Sequence, residues 1–320
     1  MPAASRWTAV LLALWSAVAL AQSFPSRPMR ILVPSVPGSS PDIRARQIAT
    51  KLTAALGQPT IVENKPGANG MIAAREAARA APDGHTMFFA LINNAVGDLL
   101  TPDPCCRLNE ALSPVSRFTM TPLLLVVNPA VPARTLQEYL DYAKAHPDAL
   151  SYASHGPGSV SQLAAEMLKK ARGIRLLEVP YKGVNSELPD LAGGQLNSAF
   201  PVPQVVLASL RSGKLRALAV MARERLAILP EVPSMGEAGL PELEAIAWNG
   251  IFVPAGTPQA VVQTLHREIV KAYTSPEIVE QVRSGGSYVA ADTPEEFAAF
   301  IRAEKAKWGK VIQEAGIKAQ

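Results

Sequence analysis

The sequence predicts an α/β protein built as two lobes, and three observations carry that expectation. Strand and helix patterns alternate along the chain, separated by glycine or proline turns, as they do where helices cover parallel sheets. About 300 residues remain behind an apolar leader, more than one hydrophobic core usually holds. No flexible linker divides them, so the chain is expected to cross between lobes through strands, near Leu123–Asn128 and again near Val220–Arg225. Lobe one then comprises residues 22–124 and 224–320, and lobe two 125–223.

The leader is residues 1–21. Arg6 precedes the apolar stretch "WTAVLLALWSAVALA", which is too short to span a membrane, and Ala19-Leu20-Ala21 gives the small-x-small pattern of a signal-peptidase site. Cleavage before Gln22 and export to the periplasm are expected. The formal charge of +4 is small and scattered, which argues against a nucleic-acid partner. Cys105 and Cys106 are adjacent and lack the spacing and the nearby His residues of a metal site. Export favours an oxidised form, although a vicinal disulfide needs a strained ring. No metal and no cofactor is expected.

In order, "MRILVPS" reads as a buried strand and "PDIRARQIATKLTAALG" as a helix ending at Gly57. "PTIVENK", "NGMIAAREAARAAPDG" and "HTMFFALI" continue as strand, helix and strand. Residues 93–117 read as irregular. "TPLLLVVNP" restores a strand, and Thr135 opens a helix with Glu138 in capping-box position. "LSYASHG" is a strand, "SQLAAEMLKKARG" a helix, and "IRLLEVPY" through "LRALAV" complete the middle block. After "IAWNGIFVPAG" two helices are expected, the second opened by Thr293 and Pro294. Glu304 and Lys307 read as a surface pair on it, and Trp248 as a cleft or core residue.

Two loops stand out as candidate sites. In the first, Pro37-Gly38-Ser39 follows a strand, with Ser40 expected as N-cap, Pro41 at the first helical position and Asp42 in the first turn. A helix N-terminus with free N–H groups is an anion site even without a cation beside it. In the second, "YASHGPGSVSQ", Ser159 is the expected N-cap and Gln162 completes a capping box, while Gly156 and Gly158 keep the approach open and Ser154 adds a hydroxyl. Both lie at carboxyl ends of strands, where α/β sheets bind ligands. Neither is a nucleotide loop, and no Ser sits in a nucleophile elbow. His155 reads as a pocket or solvent-facing residue rather than a base.

The chain resembles the extracytoplasmic receptors of tripartite tricarboxylate transporters, the Bug (Bordetella uptake gene) family. The resemblance rests on "FPSRPMRILVPSVPGSSPDIRARQIATKLTAALGQPTIVENKPGANG", "AREAARAAPDGHTMFFA", "LSYASHGPGS", "VPYKGVNSELPDLAGGQ", "GKLRALAVMARERLAILPEVPSMGEAGLPE", "WNGIFVPAGTP" and "TPEEFAAFIRAEKAKWGKVIQEAGIK", in order from Phe24 almost to the C-terminus. It implies a type II periplasmic-binding-protein-like fold with two crossover strands and a passive receptor, not an enzyme. The receptor would be a monomer that hands a small organic carboxylate to membrane permease subunits; a periplasmic sensor feeding a kinase is the alternative partner. A hydrolase or isomerase on this fold would need a nucleophile or base with an orienting group, and the sequence offers none.

Carried over, the resemblance points to Val36, Pro37, Gly38, Ser39, Ser40 and Asp42 in lobe one, and to Ser154, His155, Gly156, Gly158 and Ser159 in lobe two. The sequence departs from the family pattern at Ser39 and Ser40, at Pro157 and Gln162, and around Cys105 and Cys106. It departs again at Phe200-Pro201, where the family carries an acid near the cleft; these two residues join the expected ligand set. Loss of that acid removes a partner for an amino group. The expected ligand is therefore a carboxylate without an ammonium group, dicarboxylic or aromatic.

Overall fold

The computed structural model describes residues 24–100 and 106–318, so the expected leader and Cys105 lie outside the described residues. Strands β1 (Met29–Val33), β2 (Thr60–Asn64) and β3 (Thr86–Leu91) are parallel, with Met29 opposite Thr60 and Arg30 opposite Thr86. Helices α1 (Ser40–Leu56) and α2 (Met71–Ala78) make their crossovers. β1 is apolar apart from Arg30 because both of its faces are covered. Met29, Ile31 and Val33 pack with Ile48 and Leu52 of α1, while Leu32 joins the opposite core beside Phe88.

Beyond β3 the same sheet turns antiparallel. β10 (Ile246–Pro254) pairs with β3, then β4 (Leu112–Pro122), then β11 (Tyr288–Val289), giving six strands in the order β11-β4-β10-β3-β1-β2. A second, mixed sheet contains β5 (Leu124–Val127), β6 (Ser151–Ser154), β7 (Leu177–Pro180), β8 (Ser198–Ala199) and β9 (Arg216–Val220), in the order β7-β6-β8-β5-β9. It is covered by α4 (Leu136–Ala145), α5 (Val160–Arg172), α6 (Val184–Gly193) and α7 (Pro203–Arg211).

The sheets join at Leu123, where β4 runs into β5. The chain returns to the first sheet through residues 221–245, and the two passages are laced together. Met221 N–H donates to Leu123 O at 2.8 Å, Leu123 N–H to Ala245 O at 2.9 Å, and Ala245 N–H to Met221 O at 3.0 Å. One hydrophobic cluster runs through this seam, with Leu32, Phe88 and Trp248 on one side and Leu125, Tyr152 and Leu163 on the other. Trp248 is thus a core residue, buried and edge-on to Phe297.

Three expectations need correction. Residues 93–117 are not irregular throughout: α3 (Ile92–Leu100) and the start of β4 lie there. Two asparagines and a glycine mask α3 in the sequence, but Ile92, Ala95 and Val96 are buried, and Asn94 Oδ1 accepts from Leu91 N–H at 2.8 Å. Second, three helices close the chain rather than two: α8 (Gln259–Tyr273), α9 (Pro276–Ser284) and α10 (Pro294–Ala315). α9 is short and buries only Ile278 and Val282, which leaves little periodicity to read.

Third, Glu304 of α10 pairs with Lys307 as expected but is buried rather than on the surface. Its Oε2 accepts from the indole Nε1 of Trp308 at 2.8 Å and of Trp248 at 3.3 Å, and Lys307 approaches only to 3.5 Å. A buried indole N–H needs an acceptor, and one carboxylate serves two. Glu304→Leu is expected to leave both donors unsatisfied and to cost about 2–4 kcal/mol, read as a lowered melting temperature. Lys307→Ala should change stability by less than about 1 kcal/mol.

Candidate functional site

Both predicted loops lie at carboxyl ends of central strands, β1 and β6, and each opens a helix. They differ in how their polar groups are satisfied. In the first loop the N-cap is Ser39, not Ser40, so Ser40 and Pro41 occupy the first two helical positions. Ser39 does not cap the helix: its Oγ donates to Val36 O at 2.7 Å and lies 2.9 Å from Ser35 Oγ. No side chain covers the first turn, which leaves its donors for a ligand. Gly38 takes φ +78°, and a Cβ there would meet nothing within 4 Å, so the backbone is open above it. Val36 and Pro37 are exposed beside it.

Asp42 points away from this opening. It is buried, and its Oδ2 accepts from Gly38 N–H at 2.9 Å and from Arg46 Nε at 3.1 Å, while Oδ1 accepts from Asn64 Nδ2 at 2.9 Å. The carboxylate thus shapes the loop from within. Burial alone would raise its pKa, but the bonds from Arg46, Gly38 and Asn64 outweigh it and the net shift is downward.

The second loop is closed on itself. Ser159 is the N-cap as expected; its Oγ accepts from Gln162 N–H at 3.4 Å and His155 N–H at 3.2 Å. Gln162 Oε1 accepts from Gly158 N–H at 2.8 Å, and Ser154 Oγ accepts from Gly156 N–H at 3.4 Å while donating to Glu178 Oε1 at 2.5 Å. The amides of Gly156 and Gly158 are thus internally bonded. Gly156 takes φ +91° over open space. At Gly158 a Cβ would fall 2.4 Å from Leu100 Cδ1 and 2.9 Å from Val96 Cγ1, so this glycine seats lobe two on α3.

The loops approach across the cleft. Asn69 Nδ2 donates to Pro157 O at 3.4 Å, and Gln204 Nε2, from the first turn of α7, donates to Ser40 Oγ at 3.3 Å. His155 is partly exposed, and its Nε2 donates to Glu187 Oε2 at 2.6 Å; Glu187, buried in the first turn of α6, fixes the ring. Phe200 packs edge-on to Tyr152 in the core, and buried Pro201 accepts from Leu124 N–H at 2.9 Å. The structure therefore places Phe200 and Pro201 behind the cleft wall. Sequence reasoning missed Glu178, Glu187 and Gln204, which no local motif marks. Carboxylates do reach this wall, although none lies at 200–201, and both are engaged by loop-two side chains.

The two sheets, their seam and the facing loops define a periplasmic-binding-protein-like α/β fold. The chain belongs to the receptor family of the tripartite tricarboxylate transporters: the family model described as "Tripartite tricarboxylate transporter family receptor" matches residues 44–317. It is 35% identical over 300 residues to protein BugT of Bordetella pertussis, covering 93% of this chain and 92% of that one. MatC from Rhodopseudomonas palustris, solved with bound malate, is similar at a TM-score of 0.79 and 32% identity, over 90% of this chain and 100% of MatC. A second R. palustris protein, solved with adipate, is similar at 0.81 and 29%, over 92% and 99%.

Because Asp42 titrates below its unfolded value, its contribution is complete above about pH 4 and is lost as pH falls through the folded pKa. Asp42→Asn is expected to cost about 1–2 kcal/mol at neutral pH. The gap between wild-type and variant melting temperatures should close as a pH series is carried down below about 4.

Proposed function

We propose that this chain is a passive, monomeric receptor of the periplasm, released from its leader before Gln22. It captures a small organic carboxylate without an ammonium group, dicarboxylic or aromatic, and delivers it to a tripartite tricarboxylate-type permease. One observation carries the reading: the uncapped N-terminus of α1 opens beneath Gly38, opposite a second loop whose own donors are internally satisfied. A ligand carboxylate supplies the acceptor that the first turn lacks. Val36 and Ile43 leave apolar surface beside it for a carbon skeleton. Glu187 is held by His155 and Glu178 by Ser154 and Gln162, so neither carboxylate stands open to an amino group. The malate and adipate of the two R. palustris relatives support the ligand class.

Lobe closure over the ligand would give the permease a form to recognise. Calorimetric titration of the chain from Gln22 onward with malate, adipate, benzoate, glutamate and aspartate tests the proposal. The expected result is a micromolar constant, about −8 kcal/mol, for at least one of the first three. Comparable binding of glutamate or aspartate would remove the ammonium restriction, and silence from every carboxylate would overturn the receptor reading.

A further inference from the structure

A crevice of about 280 Å³ opens where the lobes touch, lined by Ser40, Arg44 and Gln47 of α1, Gln204 of lobe two, and Gln281 of α9. Arg44 is its unusual member. The guanidinium reaches the carboxyl end of the first sheet, where Nη1 donates to Thr119 Oγ1 and to Asn249 Oδ1, each at 2.7 Å, and Nη2 donates to Ser287 Oγ at 3.3 Å. All three acceptors are neutral, and among the described residues no carboxylate forms an ion pair with Arg44. Burial lowers its pKa, with only Tyr273 acting in the opposite sense. A guanidinium remains charged regardless, so the fold holds a cation with no counter-ion beside a cavity.

The wall across from it is also incomplete. Gln204 Oε1 is buried without a hydrogen-bond partner, while Nε2 of the same amide donates to Ser40 Oγ. The Ser40 hydroxyl can serve either end of that amide, since it both donates and accepts. Turned over, the amide would accept from Ser40 and place its N–H2 where the unpartnered oxygen now lies, on the wall that Gln204 gives the crevice. An anion there would thus meet donors from both lobes.

We propose that this crevice is a subsite for the second carboxylate of a dicarboxylate ligand, with Arg44 as its counter-ion and Gln204 as its lobe-two donor. The inference rests on the receptor reading, because the first carboxylate occupies the uncapped turn of α1. Ser40 borders both places, and Arg44 follows one turn later, about 6 Å along the helix axis. That spacing suits a short unbranched diacid lying along α1 beside Ile43, and it favours the aliphatic dicarboxylates over the aromatic monoacids.

The test compares adipate with hexanoate, which has the same carbon count and one carboxylate, by calorimetry on wild type, Arg44→Met, Arg44→Lys and Gln204→Leu. Wild type is expected to prefer adipate by at least tenfold. Arg44→Met should bring adipate down to the hexanoate level while leaving hexanoate unchanged, Arg44→Lys should retain part of the preference, and Gln204→Leu should reduce it. Should Arg44→Met fail to fold, Gln204→Leu carries the test from the other lobe. Equal binding of the two acids by wild type, or a preference that survives Arg44→Met, overturns the subsite and leaves the receptor reading standing. Binding of benzoate without adipate has the same consequence. Absence of binding by any carboxylate overturns both.

Discussion

Three backbone hydrogen bonds at Leu123, Met221 and Ala245 tie together the two passages between the sheets, and the remaining geometry depends on them. The chain must leave the first sheet, build a second and return, and each passage exposes peptide groups that need partners in a dry interior. Lacing one passage against the other satisfies them internally. It also sets where the sheets end. β4 leaves the first sheet at the edge where β1 and β3 finish, so the loops after those strands face toward the second sheet. The cleft is a consequence of that seam. One hydrophobic cluster continues through it, so the two sheets share a core across the seam.

Within the cleft, the distribution of satisfied and unsatisfied donors divides the labour between the loops. The first is held from behind by Asp42, whose carboxylate accepts from Gly38 and is steadied by Arg46 and Asn64. That arrangement stiffens the loop while leaving the N-terminus of α1 uncapped. The second loop spends its donors on Ser159, Gln162 and Ser154, and becomes a rigid lid edge seated on α3 through Gly158. A rigid, filled surface opposite an open set of amides suits capture of one small anion, because little backbone ordering is left to accompany binding.

Much of this was legible in the sequence, for physical reasons. β1 reads as a strand because both faces are covered, and α10 reads as a helix because Thr293 and Pro294 form a start signal, to which the structure adds Glu296 in a capping box. Both loops could be found because glycine at positive φ and serine at an N-cap are local requirements. What sequence could not supply was the direction of side chains. Asp42 enters the expected ligand set through the family resemblance, yet a bond to Gly38 four residues back turns it inward. Phe200 reads as a pocket residue by position, whereas Tyr152 draws it into the core. α3 was hidden because tertiary burial of Ile92 and Val96 overrides poor intrinsic propensity.

Neither loop carries a Lys or Arg, and the placement of charge elsewhere shows why that suits a carrier. A cation at the mouth of the cleft would attract every anion and would be screened by salt along with it. Backbone donors at a helix end are weaker but fixed in direction, so they select by shape. Arg44 meets the same problem differently. Its guanidinium is anchored by Thr119 and Asn249 at the carboxyl end of the sheet, beside the crevice that Ser40 and Gln204 also line. In the proposed receptor its charge would be felt most strongly with the lobes together and water excluded, and least with the crevice full of solvent. An electrostatic pull that strengthens on closure and fades on opening favours holding the ligand in transit and letting it go at its destination.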